Sequence, residues 1–279
     1  MSTASSLDPQ HFIMYDPAST EDHSQSKSTD LEKHTKTTKK SDSWFSQFFV
    51  LDDGVISLSL RDMTIILSLG ISGTLIAMGY IACTDGSFTC NTKTFPMISD
   101  VIISKEMYDR IFLLLTTVMM FGIQQVNIRA FYKKLYGVIS DGKNDFLLDL
   151  GIASCVGLPM VGIFDEKAWG TLHGISAGIF FGCFGIYCYL LGHYLYNNKD
   201  KFPASEQRSI SIIYWNTWGL MATLLLFVIS PLLGEIHHFL TPVSEWAVVI
   251  YYANFFAIAS YTNQYYDSVH EFGTLVKKQ

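Results

Sequence analysis

Residues 63–84 read MTIILSLGISGTLIAMGYIACT, 22 positions bounded by Asp62 and Asp85 without one charged side chain. A helix crosses a bilayer core of roughly 30 Å in about 20 residues, so this stretch is long enough to span. It is apolar all round rather than striped, the pattern of a helix surrounded by lipid or by other apolar helices. Five more charge-free runs follow: 18 residues after Arg110, 15 after Asp149, 31 after Lys167, 26 after Arg208 and 21 after Glu245. The run after Asp149 reaches spanning length once Phe146, Leu147 and Leu148 are counted and Asp149 sits among the headgroups. The expected fold is all-α: an integral membrane bundle of six transmembrane helices.

Composition agrees. A chain of 279 residues that is 49% hydrophobic and 16% charged is too apolar for an ordinary soluble domain. A net charge of -6 argues against nucleic-acid binding, which needs a basic surface. The distribution of cations says more than their sum. Of 19 Lys and Arg, 15 precede the first run, separate runs two and three or four and five, or follow the sixth. Only Lys93, Lys105, Arg110 and Lys167 fall on the other side. By the positive-inside rule both termini are expected in the cytosol, with loops one-two, three-four and five-six facing a lumen or the exterior.

Residues 1–43 are rich in Ser, Thr, Lys, Asp and His, and too poor in aliphatics to offset the entropy of ordering. They are expected to form a disordered cytosolic tail, a place where a cytosolic partner can bind. They also lack the apolar core of a signal peptide, so the first span is expected to act as the targeting signal. Residues 44–62 form a juxtamembrane segment whose Trp44, Phe45, Phe48 and Phe49 rest on the membrane surface or pack as a simple linker. The membrane domain is expected over residues 63–268, and 269–279 form a cytosolic carboxyl-terminal tail.

Within the runs, Gln124, Gln125, Asn216 and Asn254 lie deep, where amides usually bond across helices. Cys155, Cys183 and Cys188 read as small packing residues. Cys83 and Cys90 share the non-cytosolic side, where a disulfide can form and free thiols are equally compatible with the sequence. Gly170, Gly174, Gly178 and Gly182 recur every fourth residue, giving one smooth helix face that lets a neighbouring helix approach closely. Packing within the chain is the expected use of that face.

Ionisable groups gather on the non-cytosolic side: Asp100, Asp109, Arg110, Asp165, Glu166, His173, Glu235, His237, His238 and Glu245. His173, Glu245 and Asp100 are the candidates for acid–base work on lipids at the bilayer surface. Zinc-hydrolase spacing, Walker loops, nucleophile elbows and dinucleotide fingerprints are absent from the sequence, and no metal or cofactor is expected.

One loop is more particular. Phe95-Pro96-Met97-Ile98-Ser99-Asp100 follows the first span. Pro96 fixes the local backbone and biases Phe95 toward an extended conformation. Ser99 or Asp100 can cap the next helix, which otherwise begins nearer Ser104. This loop resembles the signature of the Frag/DRAM/Sfk superfamily. Gly162 to Phe164 followed by His173 and small residues, the Glu245-Trp246 pair, and Asp267 resemble further elements of its pattern, in the same order. Val101-Ile102-Ile103 departs from the DRAM pattern, and Cys90 is closer to the Frag-type proteins.

The resemblance implies a non-enzymatic regulator or organiser of membrane lipids, of the kind formed by DRAM autophagy modulators and Sfk-type proteins. Its alternative is a Frag-type factor in GPI-anchor lipid remodelling, which would use the non-cytosolic His and carboxylates. A small-solute channel or transporter is a further alternative. The membranes implied are endolysosomal, Golgi/ER or plasma membrane, and the partners implied are membrane lipids.

Overall fold

The computed structural model describes residues 49–52, 55–58, 60–91, 93–262 and 270–271. The tail 1–43, Trp44, Phe45, Phe48, Asp267 and most of the carboxyl-terminal tail lie outside the described residues. Ahead of the bundle, β1 (Phe49–Asp52) pairs antiparallel with β2 (Val55–Leu58), Phe49 opposite Leu58. β3 (His270–Glu271) pairs with β2 in turn, Glu271 opposite Ser57.

Among the described residues seven helices follow: α1 (Leu60–Thr84), α2 (Ile98–Ser104), α3 (Glu106–Leu135), α4 (Asp141–Ile163), α5 (Glu166–Asn197), α6 (Ala204–Ile229) and α7 (His237–Thr262). Five of them, α1, α3, α4, α5 and α6 with its short 3₁₀ extension to Leu232, are long and apolar enough to cross a membrane. The protein is thus a multi-pass helical membrane protein. α7 occupies the sixth charge-free run and is 26 residues long. α4 begins at Asp141 and so takes in Phe146, Leu147 and Leu148.

Neighbours in sequence are neighbours in space. α3 packs on α4, α4 on α5, α5 on α6 and α6 on α7, while α7 returns to α1 and closes the bundle. The core is aromatic where α5 meets α7: Phe184 meets Tyr252 edge-on at 5.0 Å between ring centres. Tyr252 also donates its hydroxyl to the Phe181 carbonyl at 2.9 Å. Edge-on rings add roughly 0.5–1.5 kcal/mol each beyond the area they bury.

Polar groups cross the interior in pairs. Asn254 donates to Ser72 Oγ at 2.7 Å, joining α7 to α1, and Asn127 donates to Thr64 Oγ1 at 3.1 Å, joining α3 to α1. Asn254 thus behaves as a deep amide should. Gln124 and Asn216 do not: Oε1 of the first and Nδ2 of the second are buried without a partner among the described residues. Gln124 belongs to a π-helical stretch, Val118–Gln124, inside α3, where the Gln125 N–H reaches back to the Met120 carbonyl. At the far end of the bundle a shielded Lys134–Glu206 pair ties α3 to α6.

Close helix contact is made by glycines other than the expected four. A Cβ on Gly157 of α4 would lie 2.8 Å from the Phe180 backbone nitrogen of α5, so only glycine permits that approach. On Gly170, Gly174, Gly178 or Gly182 a Cβ would meet nothing within 4 Å. The four-residue spacing does produce one smooth face on α5, but among the described residues no helix packs within 4 Å of a Cβ placed at any of its four glycines. Periodicity defines a face and leaves open what lies against it.

Candidate functional site

The connection from α1 to α2 is pinned at both ends. Cys83 and Cys90 are joined in a disulfide with their Cα atoms 5.5 Å apart. Within the loop they close, Asp85 pairs with Lys105, which holds the Asp85 carboxyl down at about 2. Lys105 also lies 5.1 Å from the Tyr108 ring centre. Its extended backbone, φ -140° and ψ 131°, separates α2 from α3. The second helical run therefore starts twice, once at Ile98 and again at Glu106.

Asp100 is not the N-cap of α2. Met97 holds that position, and Asp100, three residues on, accepts the Met97 N–H at 3.3 Å. This is the reach-back half of a capping box, and it leaves the Ser99 side chain buried.

The loop is fastened to α7 by the Glu245-Trp246 pair. The Trp246 indole N–H donates to the Pro96 carbonyl at 3.0 Å, and Glu245 Oε2 accepts the Ile98 N–H at 2.9 Å. Phe95 meets the Trp246 ring edge-on at 6.2 Å, and its N–H donates to the His238 carbonyl at 3.4 Å. Beneath the indole sits Gly79 of α1, where a Cβ would lie 2.7 Å from the ring. Both residues of the pair are about nine-tenths buried, each 8% exposed.

His173 enters from α5. Asp165 caps that helix by accepting the Ala168 N–H at 2.7 Å, and Trp169 interrupts its first turn with φ -133° and ψ 38°. His173 Nδ1 lies 2.8 Å from the Phe164 carbonyl. A carbonyl only accepts, so Nδ1 carries the hydrogen and Nε2 is left for other use.

His173, Glu245 and Ser99 then line two adjoining spaces. One is a small cavity of about 50 Å³ that reaches inward past Asp109, Phe112 and Phe180. The other is a groove of about 490 Å³ on the flank of the bundle between α5 and α6. Its floor is Gly174, Gly178 and Gly182 with Ala177, and its walls include Phe181 and Phe227. Glu166 joins Glu245, Ser99 and His173 at the polar end.

Not every expected residue joins the site. Arg110, one of the ionisable groups placed on the same side as His173 and Glu245, pairs instead with Glu106 on its own helix. His237 bonds the Gly234 carbonyl and stacks beside His238, away from both spaces. Among the described residues no three His, Cys, Asp or Glu side chains are grouped to hold a metal. The seat that Gly79 gives Trp246 and the groove walls Phe181 and Phe227 were not singled out in the sequence. Gly79 lies one helical turn before Cys83, and that small position facing a distant Trp carried no local signal.

A family model described as Frag1/DRAM/Sfk1/Cwh43P N-terminal domain matches residues 60–262, most of the chain and every helix of the bundle. No curated protein and no solved structure matches.

Proposed function

The chain belongs to the Frag1/DRAM/Sfk1/Cwh43P N-terminal domain family, and from that premise we propose that it is a non-enzymatic regulator or organiser of membrane lipids. In this reading α7 is the sixth crossing, both termini are cytosolic, and the tail 1–43 recruits a cytosolic partner. The supporting observation is the groove between α5 and α6. It is polar at the end lined by Glu166, His173 and Glu245 and apolar along the rest of its length. That is the chemistry of a lipid, headgroup first. The motif residues Phe95, Pro96 and Trp246 are engaged with one another, which suits a rigid cap better than a reacting centre.

The experiment is gene deletion followed by lipid analysis of bulk membranes and of GPI anchors, with a tagged copy reporting the compartment. A regulator alters the bulk lipids and leaves GPI-anchor lipids unchanged, and loss of residues 1–43 reduces its effect. A second reading, remodelling of GPI-anchor lipids, draws on His173 and Glu245 lining one cavity with Asp109. It requires altered GPI-anchor lipids after deletion and complete loss of function in a folded His173→Ala protein.

A further inference from the structure

The polar end of the groove has an uneven charge. Glu166 and Glu245 line it, and Asp109 lines the adjoining cavity. Among the described residues neither space is lined by a Lys or an Arg. Of the four cations on this side, Lys105 pairs with Asp85 and Arg110 with Glu106, and Lys93 and Lys167 line neither space. Glu245 is the group that matters most. It is about nine-tenths buried and receives a hydrogen bond from the Ile98 backbone on Oε2, and no cation pairs with it among the described residues. A buried carboxyl without a cation carries a desolvation cost that a positively charged ligand would relieve.

Depth points the same way. From Gly174 to Gly182 the helix rises about 12 Å at 1.5 Å per residue. One leaflet contributes about half of a roughly 30 Å hydrocarbon core. With its polar end at the headgroups, as the proposed function has it, the glycine floor would reach through most of one leaflet, and there is open space above it at each glycine.

We propose that this groove binds a lipid with a free primary amine at its head, the ammonium seated between Glu245 and His173 and an acyl chain laid along Gly174, Gly178 and Gly182. The ammonium supplies three donors, and Glu245 Oε1, His173 Nε2 and Ser99 Oγ are acceptors lining the same end. An anionic phosphate would meet like charge there. The proposal rests on the reading of the protein as a lipid organiser and adds the class of lipid.

The test is photolabelling of the full chain in phosphatidylcholine nanodiscs. The probes are a long-chain primary amine and a phosphatidic acid, each with the same diazirine in the chain, and labelled peptides are mapped by mass spectrometry. The expected result is labelling of α5 and α6 by the amine, at least about tenfold stronger than by phosphatidic acid. Glu245→Gln, which keeps an acceptor for the Ile98 N–H, should lower amine labelling about tenfold. Gly178→Leu, which fills open space, should abolish it while leaving the melting temperature unchanged. Equal labelling by both probes, or labelling unaffected by Glu245→Gln, overturns the choice of an amine head and leaves the lipid-organiser reading standing. No labelling of α5 or α6 by either probe overturns both.

Discussion

Trp246 donates its indole N–H to the Pro96 carbonyl at 3.0 Å, across 150 residues of sequence. Trp246→Phe keeps a ring over Gly79 and leaves that carbonyl unsatisfied, at a cost of about 1–3 kcal/mol. Thermal unfolding in detergent should show a clear fall in melting temperature. An unchanged value would mean that the loop is held by other contacts.

Two glycines separate packing from open surface. Gly79→Ala drives a methyl group into the Trp246 ring, and overpacking of this kind costs about 1–3 kcal/mol. Gly178→Ala enters open space on a helix, so its stability should be equal or slightly higher. Measured side by side, the first variant should melt well below the second.

The Cys83–Cys90 bridge closes a short loop, with the two residues seven positions apart. Loop-closure entropy for that length is worth about 2 kcal/mol. Cys83→Ser should lower stability by that order, and Cys83→Ser with Cys90→Ser should lower it no further. Intact-mass analysis with and without reductant checks that the bridge forms in the native protein.

Much of the fold was legible because charge cannot be hidden in hydrocarbon. Asp62 and Asp85 bracket α1 almost to the residue, and counting Phe146 to Leu148 with the following run recovers α4. The gathering of Asp100, His173 and Glu245 at one end was legible from their places near the ends of successive charge-free runs. Partners within that end were not. Nothing local distinguishes Arg110 facing Glu245 from Arg110 paired with Glu106 one turn away. The π-helical stretch at Val118–Gln124 was equally invisible, since its residues suit an ordinary helix. The glycines of α5 were visible as a face, and their exposure depended on where α6 happened to lie.

The groove opens on the side of the bundle, with Gly174 and Gly178 exposed along it. If a lipid enters there as proposed, the groove would trade its contents with the surrounding leaflet and not with water. Occupancy would then follow the mole fraction of the guest among neighbouring lipids, and aqueous solubility would drop out of the problem. A protein loaded in this manner would read the local makeup of its own membrane, and its response would change with membrane composition at constant expression.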